Sequence, residues 1–409
     1  MPSRRLAKSS VDERQCNDWI AEYMNYAEHT EPPVSYHRWV ALGCISSALQ
    51  RRVYFDWGME RIFPNIYVVL IGPAAQTRKS TALRIGEELV KDLNIPMIGQ
   101  DNSKEAVIRE IKKSLSSFND GTVVRMQSAV VCFASELAVF LGRQDSDFQA
   151  YLTDWYDSPE KWVRTTKHQG VDDISGLSFT LIGAMAPDWI PHVFTPESIG
   201  GGFTSRIMFV PEYRKAKTIV NPNKHPPPNG RRAKLLSDLQ IIQNQFKGPF
   251  GFDKQAEKFY EDWYRDDDKQ LQQGYYAVAD RAFYTYCGRR PTLLRKVSML
   301  VSASRTNSQI ITLPHIEDAL KWMMESEKRM PGMFAAVGRS PQASAMAAFK
   351  HTLMERKKIT RSEFMRMMSQ DMSIDELDIV ERTFEGAKMI TVHRLPEKND
   401  TEYRWIERD

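Results

Sequence analysis

The chain has 409 residues, with 56 Lys plus Arg against 52 Asp plus Glu, a hydrophobic share of 42% and a charged share of 26%. That length allows two or three domains with a sizeable core, and the balance excludes intrinsic disorder and fibrous repeats. No apolar run of about 18 residues is present, the first fifteen residues lack the apolar stretch of a secretory signal, and the four cysteines show no metal-ligand spacing, so a cytoplasmic protein with reduced thiols and no membrane contact is expected.

Two helices are predicted before Gln50, one with Trp19, Ile20, Tyr23 and Ala27 on one face, the next with Trp39, Val40, Ile45 and Leu49, broken apart by Glu31-Pro32-Pro33. A strand near Arg52 to Phe55 precedes the apolar run Ile66–Ile71, whose continuity suits a buried parallel strand. It turns at Gly72-Pro73 into a helix beginning near Lys79, and Ser103 is placed to cap another. Further short apolar runs, Ala129–Phe133, Leu177–Ile182 and Ile207–Val210, alternate with helical stretches. The fold class is therefore α/β with a mostly parallel sheet.

From Tyr213 to Lys234 lies a proline-rich loop with seven cations and no acid. A largely helical lid follows to Val337, interrupted at Gly248-Pro249, Gly274 and Gly288, with Asp253 as an N-cap and Pro291 in a first turn. The last 65 or so residues read helix, helix, helix, hairpin, which is the winged-helix order. The expected divisions are 1–60 (N-terminal helices), 61–212 (core), 213–337 (basic loop and lid) and 342–409 (winged helix).

Gly72-Pro-Ala-Ala-Gln76-Thr77-Arg78-Lys79-Ser80-Thr81 sits between a buried strand and a helix. Consecutive amides and a helix N-terminus at such a turn surround phosphates, a lysine reaches the β and γ oxygens, and a Ser hydroxyl binds Mg²⁺. Lys79 and Ser80 fit those two roles, which makes ATP and Mg²⁺ the expected cofactors. The spacing departs from the usual loop: six residues separate Gly72 from Lys79, and Arg78 stands where a glycine is usual. A left-handed backbone there costs a non-glycine residue about 1 kcal/mol, so the loop is expected to take a different path.

Such a site also needs an acid at the end of a second strand to orient the attacking water. Ala129–Phe133 runs into Ala134-Ser135-Glu136, which makes Glu136 the candidate base, with Ser135 where a magnesium-ordering acid is usual, holding the metal through water. Gly200-Gly-Gly-Phe-Thr-Ser-Arg206 places an arginine behind a glycine-rich loop at a strand entrance, either as a salt-bridged surface residue or as a finger reaching a neighbour's γ-phosphate.

Here a family resemblance becomes specific. The runs 134–141, 152–157 (Leu-Thr-Asp-Trp-Tyr-Asp), Thr165-Thr-Lys167, Gly183-Ala-Met-Ala-Pro187 and 201–206 resemble the replicative helicase-like ATPases of phages and mobile elements, also called primase-associated helicases. The Ser205-Arg206 segment is similar to the finger loop of the minichromosome maintenance helicases, which are AAA+ proteins. The resemblance spans about Trp19 to Val337. It implies an AAA+-like or RecA-like P-loop core and a ring-forming, hexameric, DNA-dependent ATPase with Lys79, Ser80, Glu136 and Arg206 in the roles above. It also implies a primase or polymerase partner, and a bacterial host cytoplasm if the chain is phage-encoded. Met185-Ala186 occupies the usual sensor position, so Arg290 and Arg295 of the lid are the candidates for a second sensor. Readings without unwinding, as a replication initiator or helicase loader, and a monomeric P-loop phosphotransferase, stay open.

For DNA, Lys161, Arg164, Lys167 and His168 lie on a segment that reads as a strand and turn, either a pore loop gripping phosphates or a solvated hairpin. Aromatics and cations from Tyr275 to Arg290 suit base stacking or the core of the lid. The third helix of the C-terminal unit is acidic, a poor major-groove surface, and Asp266-Asp267-Asp268 reads as a solvated helix end.

Overall fold

The computed structural model describes residues 13–120, 123–166, 170–195, 198–224, 226, 230–334, 341–368 and 372–406. The chain divides into two compact units, Met1–Pro331 and Gly332–Asp409. The three expected divisions before residue 331 thus share one unit.

That unit starts with α1 (Trp19–Ala27) and α2 (Val34–Leu49), then β1 (Val53–Trp57), β2 (Glu60–Ile62), β3 (Tyr67–Ile71), α3 (Lys79–Lys91), β4 (Met97–Ile98), α4 (Lys104–Lys113) and β5 (Leu115–Asn119). There follow β6 (Val124–Ala134), α5 (Leu137–Leu141), α6 (Ser146–Tyr156), the hairpin β7 (Lys161–Thr166) and β8 (Gly170–Ser175), β9 (Leu177–Met185), α7 (Ile190–Val193) and β10 (Ile207–Pro211). The remainder is α8 (Arg231–Gln245), β11 (Gly248–Phe252), α9 (Lys254–Gln272), α10 (Tyr284–Cys287), α11 (Arg290–Arg305), β12 (Ile310–Ile311) and α12 (Leu313–Glu327).

The central sheet has the order β10-β3-β9-β6-β4, all parallel, with β5 antiparallel on β6. Strands β3, β9 and β10 are buried along their whole length, which is why they read as unbroken apolar runs. Alternate residues of β9 face opposite helical layers. Thr180 bonds Ser46 of α2 (2.9 Å), and a side chain on Gly43 of α2 would strike Ile182. On the other face Phe179 packs against Phe140 of α5 and Trp155 of α6. Caps fall where the sequence places them: Ser103 accepts from the Ala106 amide and Asp253 from those of Gln255 and Ala256.

A second sheet, β12-β11-β1-β2, binds the N-terminal region to the lid, because β1 pairs in parallel with β11. Gly248-Pro249, expected as a break, is the start of β11. Buried Asp238 of α8 accepts the amides of Gln15 and Cys16, tying down the chain before α1. Asp266–Asp268 lies within α9 rather than at its end, and Asp267 ion-pairs with Arg290. All four cysteines are buried and free. Among the described residues no helix is long and apolar enough to cross a membrane.

The C-terminal unit comprises α13 (Pro341–Arg356), β13 (Lys358–Thr360), α14 (Arg361–Met367), α15 (Ile374–Gly386), β14 (Ile390–Leu395) and β15 (Asp400–Trp405). Its sheet runs β13-β15-β14, and Phe349, Phe364, Phe384 and Tyr403 meet edge-to-face in its core. The first strand, β13, joins the expected three helices and hairpin. Arg361, the first residue of α14, pairs with Asp378 and Glu381, so two acids of the acidic helix α15 are balanced within the unit.

Candidate nucleotide-binding site

Parallel pairing places the carboxyl ends of β3, β9 and β6 at one edge, where Ile71 is level with Met185 and Ala134 with Gly183. The loops leaving that edge carry Gly72–Arg78, Ala186–Asp188 and Ser135–Glu136. Ligands of open α/β sheets bind in this position.

Gly72 has no room for a side chain. A Cβ there would lie 2.5 Å from Thr77 Oγ1 and 2.6 Å from both the Glu212 carbonyl and Tyr36 Oη. Tyr36 Oη donates to the Ile71 carbonyl (2.6 Å) and the Glu212 amide to the same oxygen (2.8 Å), so α2 and the end of β10 close around the turn.

The loop path corrects the expectation for Arg78. Its backbone is left-handed (φ 57°, ψ 35°), immediately before α3, and Ala75 is left-handed as well (φ 58°). The chain therefore keeps the backbone position that glycine usually fills. The cost of holding an arginine there is offset by its side chain: Arg78 Nε donates to Glu31 (2.7 Å) in the break between α1 and α2. Glu31 also accepts from Lys215 Nζ (2.6 Å) and the Ile219 amide (3.0 Å), and these contacts, Lys215 foremost, hold its carboxyl down to about 2. The Arg78 guanidinium is thus committed to Glu31, leaving its backbone to shape the loop. The extra residue in the spacing is taken up by the tight turn in which the Gln76 amide reaches the Ala74 carbonyl (2.7 Å).

Helix α3 begins without a side-chain cap, and the first amides of any helix lack intrahelical partners. Lys79 folds back so that Nζ donates to the Gly72 and Pro73 carbonyls. Its burial lowers its pKa, while Glu136 and Asp188 act in the opposite sense. Ser80 and Thr81 line a cavity of about 650 Å³ together with Gln100, Asp101 and Ser135. Gln100 Oε1 accepts from Ser135 Oγ (3.0 Å) and the Glu136 amide (3.1 Å), fixing the loop that presents Glu136. Glu136 is exposed and precedes α5, yet its carboxylate makes no side-chain cap there. With β9 between β3 and β6, it stands two strand spacings, about 10 Å, from the β3 line. Sequence reasoning missed Gln100, because β4 is only two residues long, and Asp188, whose signal was its place two residues beyond Ala186.

Arg206 lies at the opposite edge. It precedes β10, so a five-residue strand, about 16 Å, separates its level from that of the phosphate loop. It is 7% exposed, pairs with Asp157 (2.6 Å) and donates to the Gly202 carbonyl (2.8 Å). Neither sensor candidate is free. Arg290 is buried against Glu327 and Asp267. Arg295 stacks on Trp57 at 4.0 Å and lines the same cavity as Arg206. Arg290 is thus held in ion pairs inside the lid, and Arg295 in a stack between the lid and β1.

On the candidate DNA hairpin, Lys161 pairs with Asp173 and Arg164 with Glu105, the latter also lying over Tyr151. Lys167 and His168 lie outside the described residues. In the basic loop and the start of α8, Lys215, Arg231 and Arg232 are engaged by Glu31, Glu22 and Asp92. Of the aromatics after Tyr275, Phe283 and Tyr286 are buried, whereas Tyr276 and Tyr284 stack on each other. Among the described residues there is no cluster of three or more His, Cys, Asp or Glu placed to hold a metal. No protein-family model matches the chain, and no curated protein matches it either.

Proposed function

We propose that the chain is an ATP-hydrolysing, DNA-dependent motor with a P-loop core, a ring former related to the replicative helicases of phages and mobile elements. The observation that carries this reading is the shared carboxyl edge: a left-handed residue leading into an uncapped helix, Lys79 behind it, and an unengaged Glu136 two strands away. In this reading Lys79 exchanges its two carbonyl partners for the β and γ oxygens, Glu136 takes the proton of the attacking water, and Ser80 and Ser135 are the residues that would hold Mg²⁺, the latter through water. Magnesium, when bound, neutralises the phosphate charge. Arg206, on the far edge, acts on the nucleotide of a neighbouring copy after parting from Asp157. The C-terminal unit serves as a winged helix that contacts protein or nucleic-acid backbone.

The initiator or loader reading is favoured by one observation. In the β7–β8 hairpin Asp172 lies opposite Arg164 and Asp173 ion-pairs with Lys161, a weak grip for a translocating strand. ATP turnover measured with and without single-stranded DNA, beside a fork-unwinding assay, separates the two. Lys79→Ala should abolish turnover, and Glu136→Gln should retain nucleotide while losing at least about a hundredfold in turnover. Normal turnover in both variants would remove the site from catalysis.

A further inference from the structure

At the amino-terminal edge of the central sheet, away from the phosphate loop, a cavity of about 810 Å³ is walled by Arg51, Arg206, Arg289, Arg295 and Lys296. Two carboxylates are already committed there, Asp157 to Arg206 and Glu160 to Arg51. Asp56 pairs with Arg61 at the rim, where Glu60 also stands. Among the described residues neither Arg289 nor Arg295 ion-pairs with any carboxylate; the one bond of the Arg295 guanidinium is from Nε to the Pro291 carbonyl.

Three guanidinium nitrogens of this wall, Arg51 Nε, Arg206 Nε and Arg295 Nη1, are buried and have no acceptor. Their side chains are at most 7% exposed. Buried polar hydrogens are normally satisfied, so three of them in the wall mark guanidinium groups that a small rotation toward the cavity would pair with an acceptor the protein itself does not supply. Their positions are fixed by stacking: Arg295 on Trp57 at 4.0 Å and Arg51 on Phe63 at 4.1 Å. Burial also lowers the pKa of Arg289 and Arg295, whereas the Lys296 ammonium is spent on Asn65 and the Tyr156 carbonyl. An anion entering the cavity would reverse that penalty. Several guanidinium groups in one wall suit a ligand with many acceptor oxygens, as a phosphate has, and the volume admits a nucleotide-sized ligand.

We propose that this cavity binds a phosphate group, carried by a free nucleotide or by the 5′ end of a nucleic-acid strand, in a site built by one chain and separate from the phosphate loop. The assignment stands independently of the ATPase reading. Arg206 is common to this site and to the role in a neighbouring copy, but Arg289 has no part in the latter, so Arg289 separates them.

The test is calorimetric titration of inorganic pyrophosphate into the Lys79→Ala chain, with and without Arg289→Gln. Arg289 is half-buried without an ion pair, so the substitution should leave the melting temperature nearly unchanged. The Lys79→Ala chain should bind saturably, and adding Arg289→Gln should weaken binding roughly ten- to a hundredfold, the range for a charge-assisted contact. Absence of saturable binding to Lys79→Ala, or equal affinity with Arg289→Gln, overturns the proposal. Displacement of pyrophosphate by ATP supports the nucleotide as the source. Displacement by a 5′-phosphorylated but not a 5′-hydroxyl oligonucleotide supports the strand end, and displacement by neither overturns the assignment.

Discussion

Replacing Gly72 with alanine tests both the loop geometry and the function attached to it. The new methyl would start 2.6 Å from the Glu212 carbonyl and from Tyr36 Oη, and 2.5 Å from Thr77 Oγ1. Thr77 can rotate, but Glu212 is backbone bonded to Ile71, and Tyr36 is a rigid ring bonded to the same carbonyl. Reaching ordinary contact, near 3.4 Å, requires a separation of about 0.8 Å between the end of β10, α2 and the loop. Overpacking of that size costs about 1–3 kcal/mol. The same shift moves the amides before α3, so nucleotide affinity should fall at least about tenfold. Urea unfolding followed by tryptophan fluorescence gives the first quantity, and titration with a fluorescent ATP analogue the second. Gly251→Ala is the control, since nothing lies within 4 Å of a Cβ there, and it should change neither. Unaltered stability and unaltered affinity in Gly72→Ala would refute the tight-turn argument.

Arg290→Met removes the partner of Glu327, which is 3% exposed, and should destabilise the protein by about 3–5 kcal/mol in urea titrations while leaving ATP affinity intact. Lost affinity with unchanged stability would restore Arg290 as a sensor. Glu31 has its carboxyl held at about 2 against an ordinary 4.5, mainly by Lys215. A depressed carboxylate adds stability above its unfolded value and loses it as pH falls through the folded one. The stability gap between wild type and Glu31→Gln should therefore be full at pH 6 and shrink between about pH 4.5 and 2. A gap constant over that range would count against the Glu31 network.

Strands β3, β9 and β10 were legible because each is buried on both faces and so reads as an apolar run, and β6 was legible over its buried second half. The caps at Ser103 and Asp253 were legible because capping is local chemistry. What escaped was held by distant partners. β11 begins with Gly-Pro, a break by local rules, and becomes a strand only because β1 lies alongside. Arg78 was expected to refuse the left-handed position; Glu31, some fifty residues earlier, supplies the compensating contact. Arg290 and Arg295 looked like free lid cations until the fold brought Glu327, Asp267 and Trp57 to them. The Gly72–Arg78 turn and Glu136 were readable as segments at the ends of two strands, but Gln100, which orients the second, follows a strand too short to announce itself.

The β1–β11 pairing governs how the chain can be made. Val53 finds its partner Gly248 only after nearly 200 further residues have been added. During synthesis β1 must wait, with Phe55 uncovered, until the segment through Ile311 has left the ribosome. The first unit is thus sealed late and from both ends, and a fragment ending before Gly248 would carry the whole Gly72–Arg78 loop yet leave β1 paired only with β2, its other edge open to aggregation.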